Sequence, residues 1–304
     1  MSPRWLGLLL AVALTTVGTP TLAQSPASFA GPSPGSLQPM IVSTQLWVGP
    51  QYILFDLLDA DGVRLDDAAL TGAIRLTGPD GSTGDAIPLE PIQLATRGRG
   101  LYRAPVTLNA IGEWTATVTA RAADGSTLNG KAGFPVLPDG GTPALGQAVV
   151  PVDNPTIQTA GYDLSTITTD PDPLPYLYLD SVRDALRLGK AFVLVIDTVG
   201  LGVNNACGSG VGEAKTIPKA FPGLWVIHAE PWVTPDGKSV LVSDPTHAPR
   251  VIAPWAAAWG VTEPPWLFIV GADGRLRAKF QGIFGTDELL SGLREVADYL
   301  PGGH

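Results

Sequence analysis

Cys207 and the histidines His228, His247 and His304 are the side chains best suited to redox or metal chemistry, and Cys207 is the only cysteine. Cys207 lies just beyond a strongly apolar run, Ala191 to Ile196, that ends in Asp197-Thr198. A strand feeding a thiol-bearing loop is how a disulfide-exchanging protein presents its chemistry, but exchange within one chain needs two sulfurs. One thiol can still form a mixed disulfide with a partner or be oxidised to a sulfenic acid. The competing reading is a shielded cysteine acting as a small apolar residue. Cys207 with His228 and His247 would also suit copper or zinc. Their spacing follows no local motif, however, and His228 sits in an apolar strand, where it reads as packed. No resident metal or other cofactor is expected. No Ser-His-Asp signature or catalytic carboxylate pair stands out, and the glycine-rich stretch 200–212 lacks the Lys-Ser/Thr of a phosphate loop.

The elements around this loop divide the chain. Arg4, the apolar stretch Trp5 to Val17 and Thr21-Leu22-Ala23 read as a signal peptide over 1–23. Only an uncleaved signal segment would give membrane contact. Residues 24–39, rich in Ser, Pro and Gly, read as a flexible lead-in. Over 40–138 the texture is that of an all-β sandwich. Strands are expected at Trp47 to Leu58, Ala73 to Thr77, Leu101 to Leu108, Glu113 to Ala120 and Leu128 to Val136, with Asp-Gly turns between several of them. Residues 139–175 carry Pro143, Pro151, Pro155, Pro171, Pro173 and Pro175 and read as a semi-extended linker. From 176 to 301 helix and strand alternate. Ser181 caps a short helix, Ala191 to Ile196 and Leu224 to Ala229 are strands, and Ala248 to Trp259 reads as a helix closed by Gly260. Trp266 to Val270 and Leu276 to Gln281 form a hairpin about Asp273-Gly274, and Thr286 opens a last amphipathic helix.

Composition narrows the partners. Lys plus Arg number 19 against 28 Asp plus Glu, a net charge of −9, and no basic run appears. Nucleic acid and anionic membrane surfaces are therefore excluded as partners, since phosphate binding needs clustered cations. The counts of 36 Gly and 29 Pro predict many turns and long irregular connections.

The order of elements after residue 175 resembles the thioredoxin-like fold, an α/β arrangement with a central mixed sheet. Lys190 to Thr198 resembles the strand leading into the active loop, and Trp225 to Glu230 the next parallel strand. Gly260 to Val270, with Glu263-Pro264-Pro265-Trp266, resembles the segment in which a cis-proline faces the active cysteines. Leu101-Tyr102 with Ile111-Gly112-Glu113-Trp114 resembles the late strands of immunoglobulin-like modules in exported bacterial proteins. The resemblance implies two domains, disulfide exchange as the ancestral chemistry, and a substrate surface at Glu263, Pro265 and Trp266. It also exposes a departure, because Gly202 stands where the outer cysteine would be and only Cys207 remains. The loop resembles one that keeps the resolving thiol and lacks the attacking one. Pro218 and several glycines weaken the helix behind it. The expected function is that of an exported protein, extracellular or periplasmic and cell-envelope, degenerate for exchange, that binds a protein or thiol-bearing partner or serves envelope redox homeostasis. At most it would be a single-cysteine oxidoreductase. A non-enzymatic binding module and a copper or zinc carrier are the alternatives.

Overall fold

A computed structural model describes residues 36–65, 70–92, 101–122, 124–200, 209–238, 249–283 and 286–297. Residues 33–304 form one compact unit. The protein is mostly β, with several sheets. Among the described residues no helix is long and apolar enough to cross a membrane.

The first half contains β1 (Gln38–Ile41), β2 (Leu46–Trp47), β3 (Gly49–Leu58), β4 (Thr71–Thr77), β5 (Ile87–Pro88), β6 (Glu90–Ile92), β7 (Leu101–Leu108), β8 (Gly112–Arg121) and β9 (Thr127–Leu137). One sheet runs β1-β3-β7-β6 and the other β2-β9-β8-β4-β5. Period-two alternation turns an apolar face of each sheet toward the other, while Leu54 and Leu101 on the outer face of the first pack with Ile283. Trp114, Ala116, Val118 and Ala120 of β8 meet Ile53, Phe55 and Leu57 of β3 and Tyr102, Ala104 and Val106 of β7 in a single core. The N-terminal strand divides between the sheets, β1 pairing with β3 and β2 with β9. Lettered in chain order, the sheets read A-B-E-D and A′-G-F-C-C′, which makes this an immunoglobulin-like sandwich. The Asp-Gly turns form as expected, with Gly62, Gly81 and Gly125 all at positive φ.

The second half holds α1 (Val182–Arg187), β10 (Phe192–Ile196), α2 (Ser209–Ala214), α3 (Ile217–Ala220), β11 (Trp225–Ala229), β12 (Trp232–Val233), β13 (Val251–Ile252), α4 (Pro254–Ala257), β14 (Trp266–Val270), β15 (Leu276–Gln281) and α5 (Thr286–Ala297). A four-stranded sheet runs β11-β10-β14-β15, with β10 parallel to β11 and antiparallel to β14. Helices cover both faces, so β10 and β14 read as unbroken apolar runs. Phe192, Leu194, Ile196 and Phe268 pack with α1 and α4 on one face, and Val193, Val195, Leu267 and Ile269 with α2, α3 and α5 on the other. Ser181 begins α1 in a reciprocal cap with Asp184, its hydroxyl accepting the Asp184 N–H at 3.1 Å.

Two expectations need correction. Ala248 to Trp259 is not one helix. Val251–Ile252 is strand β13, paired with Trp232–Val233, and only Pro254–Ala257 is helical. Proline fits the first turn of a helix but not its interior, so the helix starts at Pro254 and does not run through it. The stretch 139–175 does not stand clear of the second half. Val149 and Val152 are buried beside β10 and β14, and Leu164, Ile167 and Leu174 pack against the opposite face. The two halves interlock there as well. Trp47 of the sandwich is buried in the core of the second half, with its ring 6.1 Å from that of Trp266. The Gln45 side-chain amide donates to Gly140 O at 2.7 Å and to Gly260 O at 2.9 Å, and its Oε1 accepts the Thr262 N–H at 3.2 Å.

Candidate functional site

Cys207, Gly202, His247 and His304 lie outside the described residues. What is described is the frame on either side of residues 201–208. β10 ends at Ile196, directly opposite Trp266 in the ladder, so the Pro264–Pro265 turn adjoins the point where the loop begins. The Pro264–Pro265 bond is cis. Of the three residues expected to meet a substrate, only Glu263 is exposed, while Pro265 is buried. Trp266 is fully buried and stacks on Phe268 at 5.2 Å with their planes 5° apart. Its alternation on β14 turns it into the core, so it supports the turn without presenting a surface of its own.

At the end of β10 the structure assembles a buried polar cluster that pattern reading missed. Asp197 is fully buried, and its carboxylate accepts the Thr198 N–H at 2.7 Å and the Gly210 N–H at 3.0 Å. It therefore ties the start of α2 to the end of β10. Glu230, one residue beyond β11, accepts from the Thr198 hydroxyl at 2.8 Å and from the Thr168 and Thr169 hydroxyls at 3.0 and 2.7 Å. The Thr169 N–H donates to it too. The Gly200 N–H donates to Thr169 Oγ1 at 2.7 Å. Residues 168–170 are thus a strap buttoned onto the exit of β10. Lys215, just past α2, sits 2.7 Å from Asp170 Oδ2 as an ion pair and donates to Asp172 O at 2.7 Å. The clue in the sequence was a set of polar residues, Asp197, Thr198, His228 and Glu230, at the ends of two apolar strands.

His228 is fully buried at the centre of this cluster. Its Nδ1 lies 2.7 Å from the Tyr178 hydroxyl and its Nε2 3.2 Å from Asp197 O. Both ring nitrogens are engaged, so His228 does not offer itself as a metal ligand, and no group of three metal-binding side chains stands together among the described residues. Burial pushes the His228 pKa below its usual value, although the Glu230 and Asp170 carboxylates oppose the shift. Burial also raises the Tyr178 phenol, keeping it neutral. The direction of the His228 shift sets a pH dependence. With the folded pKa depressed, the unfolded chain binds the extra proton first, so stability falls as pH drops below about 6.5, by up to about 1.4 kcal/mol per pH unit. Urea unfolding at pH 7, 6 and 5 should show this slope in the wild type and its loss in His228→Gln. Equal slopes in the two proteins would contradict it.

No protein-family description matches the chain, and no curated protein matches it. Solved structures similar to part of it include CopC from Methylosinus trichosporium OB3b, 15% identical, covering 33% of this chain and 93% of that one at a TM-score of 0.22. PcoC, a copper resistance protein from Escherichia coli, is 15% identical and covers 35% of this chain and 100% of that one at a TM-score of 0.21. The fibronectin type-III domain of human fibronectin type III domain containing protein 3 is 15% identical, with coverages of 38% and 96% and a TM-score of 0.22. Likenesses this slight carry no argument, and the sandwich assignment rests on its own strand pairing.

Proposed function

We propose that this chain is an exported protein in which an immunoglobulin-like module is joined to a thioredoxin-like one that has lost disulfide turnover and acts by binding a protein partner. The observation that carries the reading is the strand order β11-β10-β14-β15, with one parallel pair and the loop to α2 leaving beside the Pro265 turn. That arrangement supports a thioredoxin-like frame, and a single sulfur within it leaves no internal pair to cycle. The helix behind the loop points the same way. A thiolate is stabilised by free N–H groups at a helix start. Among the described residues α2 spans six, and the Gly210 N–H is already taken by the Asp197 carboxylate. Export is supported by Arg4, the apolar stretch Trp5 to Val17 and the small residue Ala23.

Insulin reduction with dithiothreitol as reductant tests this. The full chain and Cys207→Ser are expected to match the uncatalysed rate, and alkylation of Cys207 by iodoacetamide should be no faster than that of free cysteine. Turnover that disappears in Cys207→Ser would restore catalysis to the loop and overturn the reading.

A further inference from the structure

A cleft of about 570 Å³ opens between the sandwich and the second half, walled by β3 and β7 on one side and by β15 on the other. Its size is within the range of small-molecule sites, and its position between two packed halves is where such sites concentrate. The lining combines the aromatic rings of Trp47, Tyr52 and Phe280 with the cations Arg103, Arg277 and Lys279. No Asp or Glu lines it among the described residues, in a chain whose net charge is −9. The cations are also positioned by the fold. Arg103 Nε donates to Glu90 at 2.9 Å and its guanidinium lies 4.7 Å from the Tyr52 ring centroid. Arg277 donates to Asp273 at 2.6 Å.

Lys279 is the most informative member. It is 5% exposed and lies 4.6 Å from the Trp47 ring centroid. Its ammonium donates to Asp139 O, to Thr142 Oγ1 and to Pro143 O, all uncharged acceptors. Burial lowers its pKa to about 8. Its hydrogen bonds go only to neutral oxygens, the Asp139 carboxylate acts on it through space without outweighing burial, and an anion in the cleft would add a second opposing charge. The indole N–H of Trp47 is buried without a partner. We propose that this cleft binds a small organic anion with an apolar body, its head toward Arg277 and Lys279 and its body against Trp47, Tyr52 and Phe280.

Three probes sharing one ten-carbon tail test this by calorimetric titration of the full chain: decanoate, decanol and decylammonium. Decanoate is expected to bind about tenfold more tightly than decanol, the effect of one modest charge interaction, and decylammonium more weakly than either. Arg277→Gln should lower the decanoate affinity about tenfold and leave decanol unchanged. Leu145 is 48% exposed on the cleft wall. Leu145→Trp adds bulk to the wall without removing a charge, and should weaken decanoate and decanol alike. Equal affinities for the three heads, no heat with decanoate, or undiminished decanoate binding in both variants at a wild-type melting temperature would each overturn the proposal.

Discussion

Gly260→Ala is expected to lower the melting temperature by about 10 °C or more, since about 4 kcal/mol is removed from a chain of this size. Two independent effects combine. Gly260 adopts φ +70°, and a Cβ there would lie 1.5 Å from Gly141 O and 2.5 Å from its carbonyl carbon. Neither atom belongs to a side chain that can swing aside, so the turn 139–142 would have to move. That turn is held by Gln45, whose amide bridges Gly140 O and Gly260 O, and the displacement would break both bonds. Gly146→Ala is the matched control. It has φ +78° but nothing within 4 Å of the added methyl, so only the conformational penalty remains, about 1 kcal/mol. Thermal melts followed by circular dichroism separate the two, and similar shifts in both would show that the close approach is not what makes Gly260 necessary.

Glu230→Leu should destabilise by about 3 kcal/mol, because three hydroxyls and one backbone N–H lose a charged acceptor where water cannot replace it. Glu230→Gln should lose only about 1 kcal/mol, since an amide oxygen still serves the strap and its NH₂ can donate to the Thr198 hydroxyl. The same loss should appear locally. Hydrogen exchange at the Thr169 and Gly200 amides is expected to accelerate in Glu230→Leu well before the strands exchange. Unchanged protection there would mean that Glu230 does not hold the strap.

Much of the sandwich was legible from alternation. Leu101–Leu108 is a strand with the expected bounds, and Gly112–Arg121 extends its expected run by one residue at each end. The short strands escaped, because β5 and β6 have two and three residues and carry Pro88 and Pro91. Proline marks such pieces as irregular until a neighbour pairs with them. The apolar strands of the second half were equally clear, since burial on both faces writes itself as a continuous run. The polar cluster was not. Thr168 and Thr169 are 62 and 61 residues from Glu230 and sit in a stretch whose prolines suggested a spacer. Composition cannot reveal that such a stretch closes over a sheet edge. The apolar residues Val149, Val152, Leu164 and Ile167 were the available hint. Trp266 was misplaced for a related reason, because its position beside Pro265 suggested a surface while strand alternation turned it inward.

The burial of Trp47 has a consequence for how this chain can be divided. The indole is contributed from before residue 50 yet completes hydrophobic packing around Trp259, Trp266 and Phe268, some two hundred positions later. A fragment beginning after the sandwich would carry an aromatic-sized hole beside Trp266, and a fragment ending before residue 139 would expose that indole to water. Neither piece is a spare part, so what resembles two modules strung together is a single physical object with one shared seam.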